Sequence, residues 1–200
     1  MPSTSRHALI ILASLAAGCA HVEKPPTAKT EAKAPALSKE RQLLSEGYSI
    51  LYRDAGNLDL SELILYVKAE SDDMKKVVTA ISEMGGDLKR DLERIARDYP
   101  GVRIDLDPLP EMEKRKRIGV GMTRAKEFAP LVGKGGREYE RTVLMSFANG
   151  LNHERHLCKV MAEAEEDAGL KKFLLETQKK YDGLYEDVMA LLKKEYFRRE

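Results

Sequence analysis

The side chains best suited to bind a metal ion or move a proton crowd into one stretch, "NHERH", residues 152–156. His153 and His156 are about one helical turn apart, with Asn149 a turn earlier, so the three share a polar flank. Two imidazoles at this spacing begin a zinc or copper site, which needs further ligands, and Cys158 points to a different face. Glu154 belongs elsewhere. At ~100° per residue it falls in the middle of an apolar stripe of Phe147, Leu151, Cys158 and Met161, with Glu140 and Glu165 on the same face nearer its ends. A buried carboxylate is costly unless it is paired or holds a cation. If the first helix is continuous, Glu62 lies on that helix's own stripe, making Glu62 and Glu154 a candidate pair for one cation: iron, manganese or zinc. In the competing reading there is no cofactor. Glu154 then meets an Arg or Lys, water, or a tyrosine hydroxyl such as Tyr48, Tyr66 or Tyr181, and the histidines lie at the surface.

Other motifs carry less chemistry. "KRKR", Lys114, Arg115, Lys116 and Arg117, has the charge to touch lipid headgroups or a cell-wall polyanion, although Glu111 and Glu113 precede it and a solvated helix face explains it too. "GKGG", residues 133–136, lacks the length and the Ser or Thr of a phosphate loop and reads as a hinge. No nucleophile stands at a recognisable spacing from a base, so no catalytic residue is assigned and the chain reads as a non-enzyme.

The start of the chain speaks to location. One positive charge, Arg6, precedes an apolar run from Ala8 to Ala17 that is too short to span a bilayer, and Ala16, Ala17 and Gly18 lead into Cys19. An ordinary cleaved signal with an incidental cysteine is one reading. The stretch also resembles the lipobox of bacterial lipoproteins, with Leu15 four places before the cysteine where the usual pattern has three. That resemblance implies a signal peptide over 1–18, a fatty-acylated (palmitate-type) Cys19 as first residue of the mature chain, and a membrane anchor. Residues 19–38 are rich in Pro, Ala, Lys and Glu and cannot bury a core, so they read as a disordered tether. Ala20, in place of an acidic residue, favours by the same resemblance the outer membrane, facing the periplasm.

The remaining 39–200 make one domain. The whole chain has 34 basic and 33 acidic residues; setting Arg6 aside leaves 33 of each, which excludes a protein built to grip nucleic acid. With Cys19 acylated, Cys158 has no disulfide partner within the chain.

The elements that must position these residues read as helices throughout. The first runs from a Ser38 cap to about Glu70, with Leu44, Tyr48, Leu51, Ala55 and Leu58 inward and a break at "DAGNLD", 54–59. The second, about Asp72 to Arg97, carries Met74, Val77, Ile81, Met84, Leu88, Leu92 and Ile95, and its Gly85 and Gly86 mark a close helix crossing or a slight kink. A short helix, about Glu111 to Phe128, sits inside a long crossover. A third long helix spans about Glu138 to Asp167. The fourth, about Gly169 to Tyr196, steps Leu170, Leu174, Thr177, Tyr181, Leu184, Val188 and Leu191.

Helix pair, long crossover, helix pair is the order of an antiparallel four-helix bundle of ferritin-like type. The stretches "ELILYVKAESDDMKKVVTAISEM", "REYERTVLMSFANGLNHERHL" and "GLKKFLLETQKKYDGLYEDVMAL" are similar to a bacterial predicted outer-membrane family with that fold. A ferritin-like di-iron site needs Glu-x-x-His twice, and none of the four histidines has a Glu three residues before it. The function expected is that of a membrane-anchored envelope lipoprotein with a non-catalytic binding or structural bundle, whose partner is an envelope protein or cell-wall component. The alternative is a metal-binding or redox-stress bundle with a degenerate carboxylate site.

Overall fold

The computed structural model describes residues 38–65, 71–128 and 136–197; Cys19, the signal segment and most of the tether lie outside them. Among the described residues the chain is all-helical, with five α-helices and no strand. These are α1 (Lys39–Asp59), α2 (Asp72–Asp98), α3 (Glu111–Phe128), α4 (Arg137–Ala164) and α5 (Ala168–Glu195), with a 3-10 turn, Ser61–Ile64, after α1. None of them is long and apolar enough to cross a membrane.

The boundaries follow from local chemistry. Ser38 caps α1 by accepting from the Arg41 amide at 3.1 Å, and Ser71 caps α2 by accepting from Met74 N at 3.2 Å. Asp167 does the same for α5, accepting from Leu170 N at 2.9 Å. Gly136 begins α4 at φ 90°, a left-handed conformation that only glycine adopts freely. The first helix stops at Asp59, short of the Glu70 expected from the sequence.

Packing is pairwise. The α1–α2 and α4–α5 hairpins have the largest contacts; α2 also packs on α5 and α1 on α4. At one end of the molecule Arg41 of α1 meets Glu165 beyond α4, and Ser45 of α1 meets Gly101 beyond α2. At the other end Ser71 and Tyr196 both reach Glu140 of α4, and Lys194 of α5 reaches Asp73 of α2. Residues 99–128, with α3 among them, follow α2 at the first of these ends, and α4 begins at Gly136 near the other. The crossover's first segment is laced onto α1: Ser45 Oγ donates to Gly101 O (3.0 Å) and accepts from Arg103 N (3.3 Å), while Ser49 Oγ accepts from Leu106 N (3.1 Å).

The core is continuous across α1, α2, α4 and α5. Tyr48, Leu51, Met74, Ile81, Leu92, Leu144, Leu151, Leu174, Tyr181 and Leu192 are fully buried within it. The α2 stripe is centred on Val78, with Val77 half-buried. Gly85 resolves the choice left open by the sequence: a Cβ there would lie 2.6 Å from Asp59 N and 2.8 Å from Ala55 O, so α2 and the end of α1 cross at glycine contact distance. By contrast α3 packs lightly on the rest. Met112, Ile118, Val120 and Met122 on it are exposed, Met112 to 75%.

Candidate functional site

Four carboxylates face the interior, and three different environments receive them. Glu165, buried just after α4, accepts a bidentate pair from Arg41 at 2.9 and 2.6 Å, plus the Tyr48 hydroxyl at 3.2 Å and Asp167 N at 3.1 Å. Burial alone would raise its pKa, but Arg41 and the Asp167 amide outweigh it and hold the carboxyl below the usual range. Glu140, at the other end of α4, accepts from Ser71 N (2.8 Å), Ser71 Oγ (3.0 Å) and Tyr196 Oη (2.7 Å). Both are structural ties that pin α4 to neighbouring helix ends.

The central pair differs. Glu154 of α4 is 9% exposed and faces Asp54 of α1, which is half-buried. Burial pushes the Glu154 carboxyl well above its ordinary range, and the negative charge of Asp54 pushes it further. Asp54 is raised as well, chiefly by burial, and is partly relieved by the hydrogen bond that it accepts from Glu154 and by the positive charge of Arg117 on α3. Both carboxyls are thus pushed toward the protonated form, Glu154 the more strongly. Asn57 Nδ2 lies 3.4 Å from Asp54 Oδ1 on the outer side.

The second oxygen of Glu154 and the hydroxyl of Tyr181 on α5 are buried without a hydrogen-bond partner. The Tyr181 hydroxyl lies among Glu154, Cys158 and Asp54, whose fields join burial in raising its pKa far above a free phenol. Cys158, one turn beyond Glu154, is a buried free thiol pushed up by the same burial and by Glu154. A thiol so held is a poor nucleophile.

The sequence placed Glu154 inside, where the structure has it, and offered the Tyr181 hydroxyl as a partner; that hydroxyl lies near Glu154 but makes no hydrogen bond. It corrects the partner. Glu62 is exposed in the 3-10 turn, because α1 ends before it, and the carboxyl facing Glu154 is Asp54. The pattern did contain the signal: Asp54 stands three residues after buried Leu51 and directly before buried Ala55. His153 and His156 are exposed on the outer side of α4, away from this pair. Among the described residues no three His, Cys, Asp or Glu side chains converge as a metal-ligand group.

The basic run on α3 is internally compensated. Lys114 reaches Asp107 at 2.5 Å, Arg115 reaches Glu111 at 3.1 Å, and Lys116 and Arg117 both reach Glu113, at 2.5 and 3.2 Å. Exposed pairs of this kind stabilise by only ~0–1 kcal/mol, so they are easily exchanged for another anion. No protein family matches the chain, and neither a curated protein nor a solved structure matches it.

Proposed function

We propose that the chain is an envelope lipoprotein, anchored through Cys19 in the outer membrane facing the periplasm, whose helical domain is a non-catalytic binding or structural module. Its four long helices form an antiparallel four-helix bundle of ferritin-like connectivity. Supporting that finer description, α1 and α4 meet N-terminus to C-terminus at Arg41–Glu165, and α2 and α5 do so at Asp73–Lys194, with the long crossover between the two hairpins. The anchor is supported by the residues before Cys19 and by a tether without bulky apolar side chains.

One observation carries the binding role. The crossover helix α3 exposes Met112, Ile118, Val120 and Met122 beside Lys114, Arg115 and Lys116, which pair with their own helix or the preceding loop. A helix that contributes so little to the core and keeps four apolar side chains in water is available to a partner. The partner is an envelope protein or a cell-wall component.

Two measurements test this reading. Cys19→Ser should abolish fatty-acid labelling and leave the precursor uncleaved; normal processing of an unlabelled chain would overturn the anchor. A photo-crosslinking side chain at Ile118 should give one discrete adduct in intact envelopes, lost when Met122→Lys is added. An Ile118 probe that gives no adduct, or one indifferent to Met122→Lys, removes α3 as the binding face.

A further inference from the structure

We propose that Asp54, Glu154 and the Tyr181 hydroxyl form a binding site for one divalent cation that prefers oxygen ligands, set at the meeting of α1, α4 and α5 beneath α3. The inference stands apart from the anchoring of the chain and does not depend on it.

Two independent observations lead to it. Two carboxyls of like charge face each other across a helix seam in a region otherwise packed with apolar side chains, an arrangement that a cation compensates directly. Separately, a third helix contributes the Tyr181 hydroxyl, fully buried and without a hydrogen-bond partner, beside a Glu154 oxygen that also has none. Each unsatisfied group of this kind costs ~1–3 kcal/mol. A carboxyl pair that served only to share a proton would have no use for an orphaned phenol from another helix. Both orphaned atoms are oxygen lone-pair donors, and a cation between them and Asp54 satisfies all three at once.

The donor set selects the class of ion. Carboxylate and phenol oxygens suit manganese, magnesium or calcium rather than a thiolate-seeking metal. Because no three acidic or sulfur ligands converge here, water completes the coordination, as is usual where one or two carboxylates hold such an ion. Entry is from the Asp54 side, where the residue is half-buried and α3 is only lightly packed. Arg117 stands over that entry. Its guanidinium is tied to Glu113 at 3.2 Å on its own helix and its side chain is 46% exposed, so it can turn away as a cation arrives. A cation takes the ionised carboxylates, so any proton that the pair holds is released on binding.

The test is titration of Mn2+ into the full-length chain, following the loss of the free-ion electron paramagnetic resonance signal. One Mn2+ per chain is expected. Affinity should fall by at least about tenfold in Asp54→Asn and in the isosteric Glu154→Gln, and measurably in Tyr181→Phe. Arg117→Ala should tighten binding by removing the competing charge. Titration in two buffers of different ionisation enthalpy should report proton release that Glu154→Gln diminishes. Circular dichroism confirms that each variant is folded. If the chain takes up neither Mn2+, Mg2+ nor Ca2+ stoichiometrically, or if Asp54→Asn binds Mn2+ as the parent does, the proposal fails.

Discussion

Glu154 on α4 faces Asp54 on α1, two carboxyls from opposite sides of the seam, and burial together with their mutual repulsion raises the pKa of Glu154 well above its ordinary range. The consequence for stability has a definite sign. The Glu154 pKa is raised in the fold, so the folded chain keeps a proton that the unfolded chain releases above the ordinary carboxylate range. The contribution is therefore full at acidic pH and is lost as pH rises toward the folded pKa. In metal-free buffer with chelator, stability should fall as pH rises above the ordinary carboxylate range, by up to ~1.4 kcal/mol per pH unit where Glu154 alone titrates differently in the two states. Glu154→Gln keeps the shape and cannot ionise. It should be the more stable chain at pH 8 and should flatten this slope, read from urea midpoints at several pH values. A slope unchanged by Glu154→Gln would show that some other group governs it. Glu165 acts in the opposite sense: Arg41 holds its pKa down, so its contribution is present at neutral pH and disappears only on strong acidification.

Much of this arrangement could be read in the sequence because it depends on period. The inward faces of α4 and α5, and the placing of Glu140, Glu154 and Glu165 among them, follow from steps of three and four residues. The identity of Glu154's partner did not follow, because it depends on where α1 ends. "DAGNLD" carries two aspartates, a glycine and an asparagine, residues that favour turns, yet the helix continues to Asp59 and turns Asp54 inward. Tertiary contact with α2 overrides local propensity there: Asp59 O accepts from Ser82 Oγ at 2.6 Å, and Gly85 packs against the same turn. The exposed histidines were equally undetermined, since the flank beside an apolar stripe can face either a neighbouring helix or water.

The glycines of the long helices divide into two kinds, and the division is measurable. Gly85→Ala would press a methyl against backbone atoms of α1, Asp59 N at 2.6 Å and Ala55 O at 2.8 Å, neither of which can move alone. It should cost ~1–3 kcal/mol, as overpacking does, and should separate α1 from α2 enough to disturb Asp54. Gly150 and Gly183, on α4 and α5, have nothing within 4 Å of a built Cβ, so alanine there should stabilise by up to ~1 kcal/mol through helix propensity alone. Thermal melts of the three variants should order as Gly150→Ala and Gly183→Ala above the parent and Gly85→Ala below it. A Gly85→Ala chain as stable as the parent would mean that the α1–α2 crossing is looser than these distances state.

Ser45 and Ser49 are small polar residues on a helix face that is otherwise core, and both are nearly inaccessible. Their hydroxyls supply partners to backbone groups of the segment 101–106, which pairs with no strand. Ser49 Oγ lies 2.9 Å from Ser45 O within α1, 3.1 Å from Arg103 O and 3.1 Å from Leu106 N, bridging helix and crossover at one atom. Removing either hydroxyl takes a hydrogen-bond partner from part-buried backbone groups of the crossover, at up to ~1 kcal/mol each. The loss should be local. Ser49→Ala should speed hydrogen exchange at the Leu106 amide and Ser45→Ala at Arg103, while the α4–α5 hairpin keeps its protection. The crossover determines where α3 and its Arg117 stand, so Ser49→Ala should also weaken the effect of Arg117 on the carboxyl pair and raise the Asp54 pKa, observable by carbon-detected titration of the side-chain carboxyl. Faster exchange spread evenly over all the helices would show instead that the serines hold the whole fold rather than the crossover.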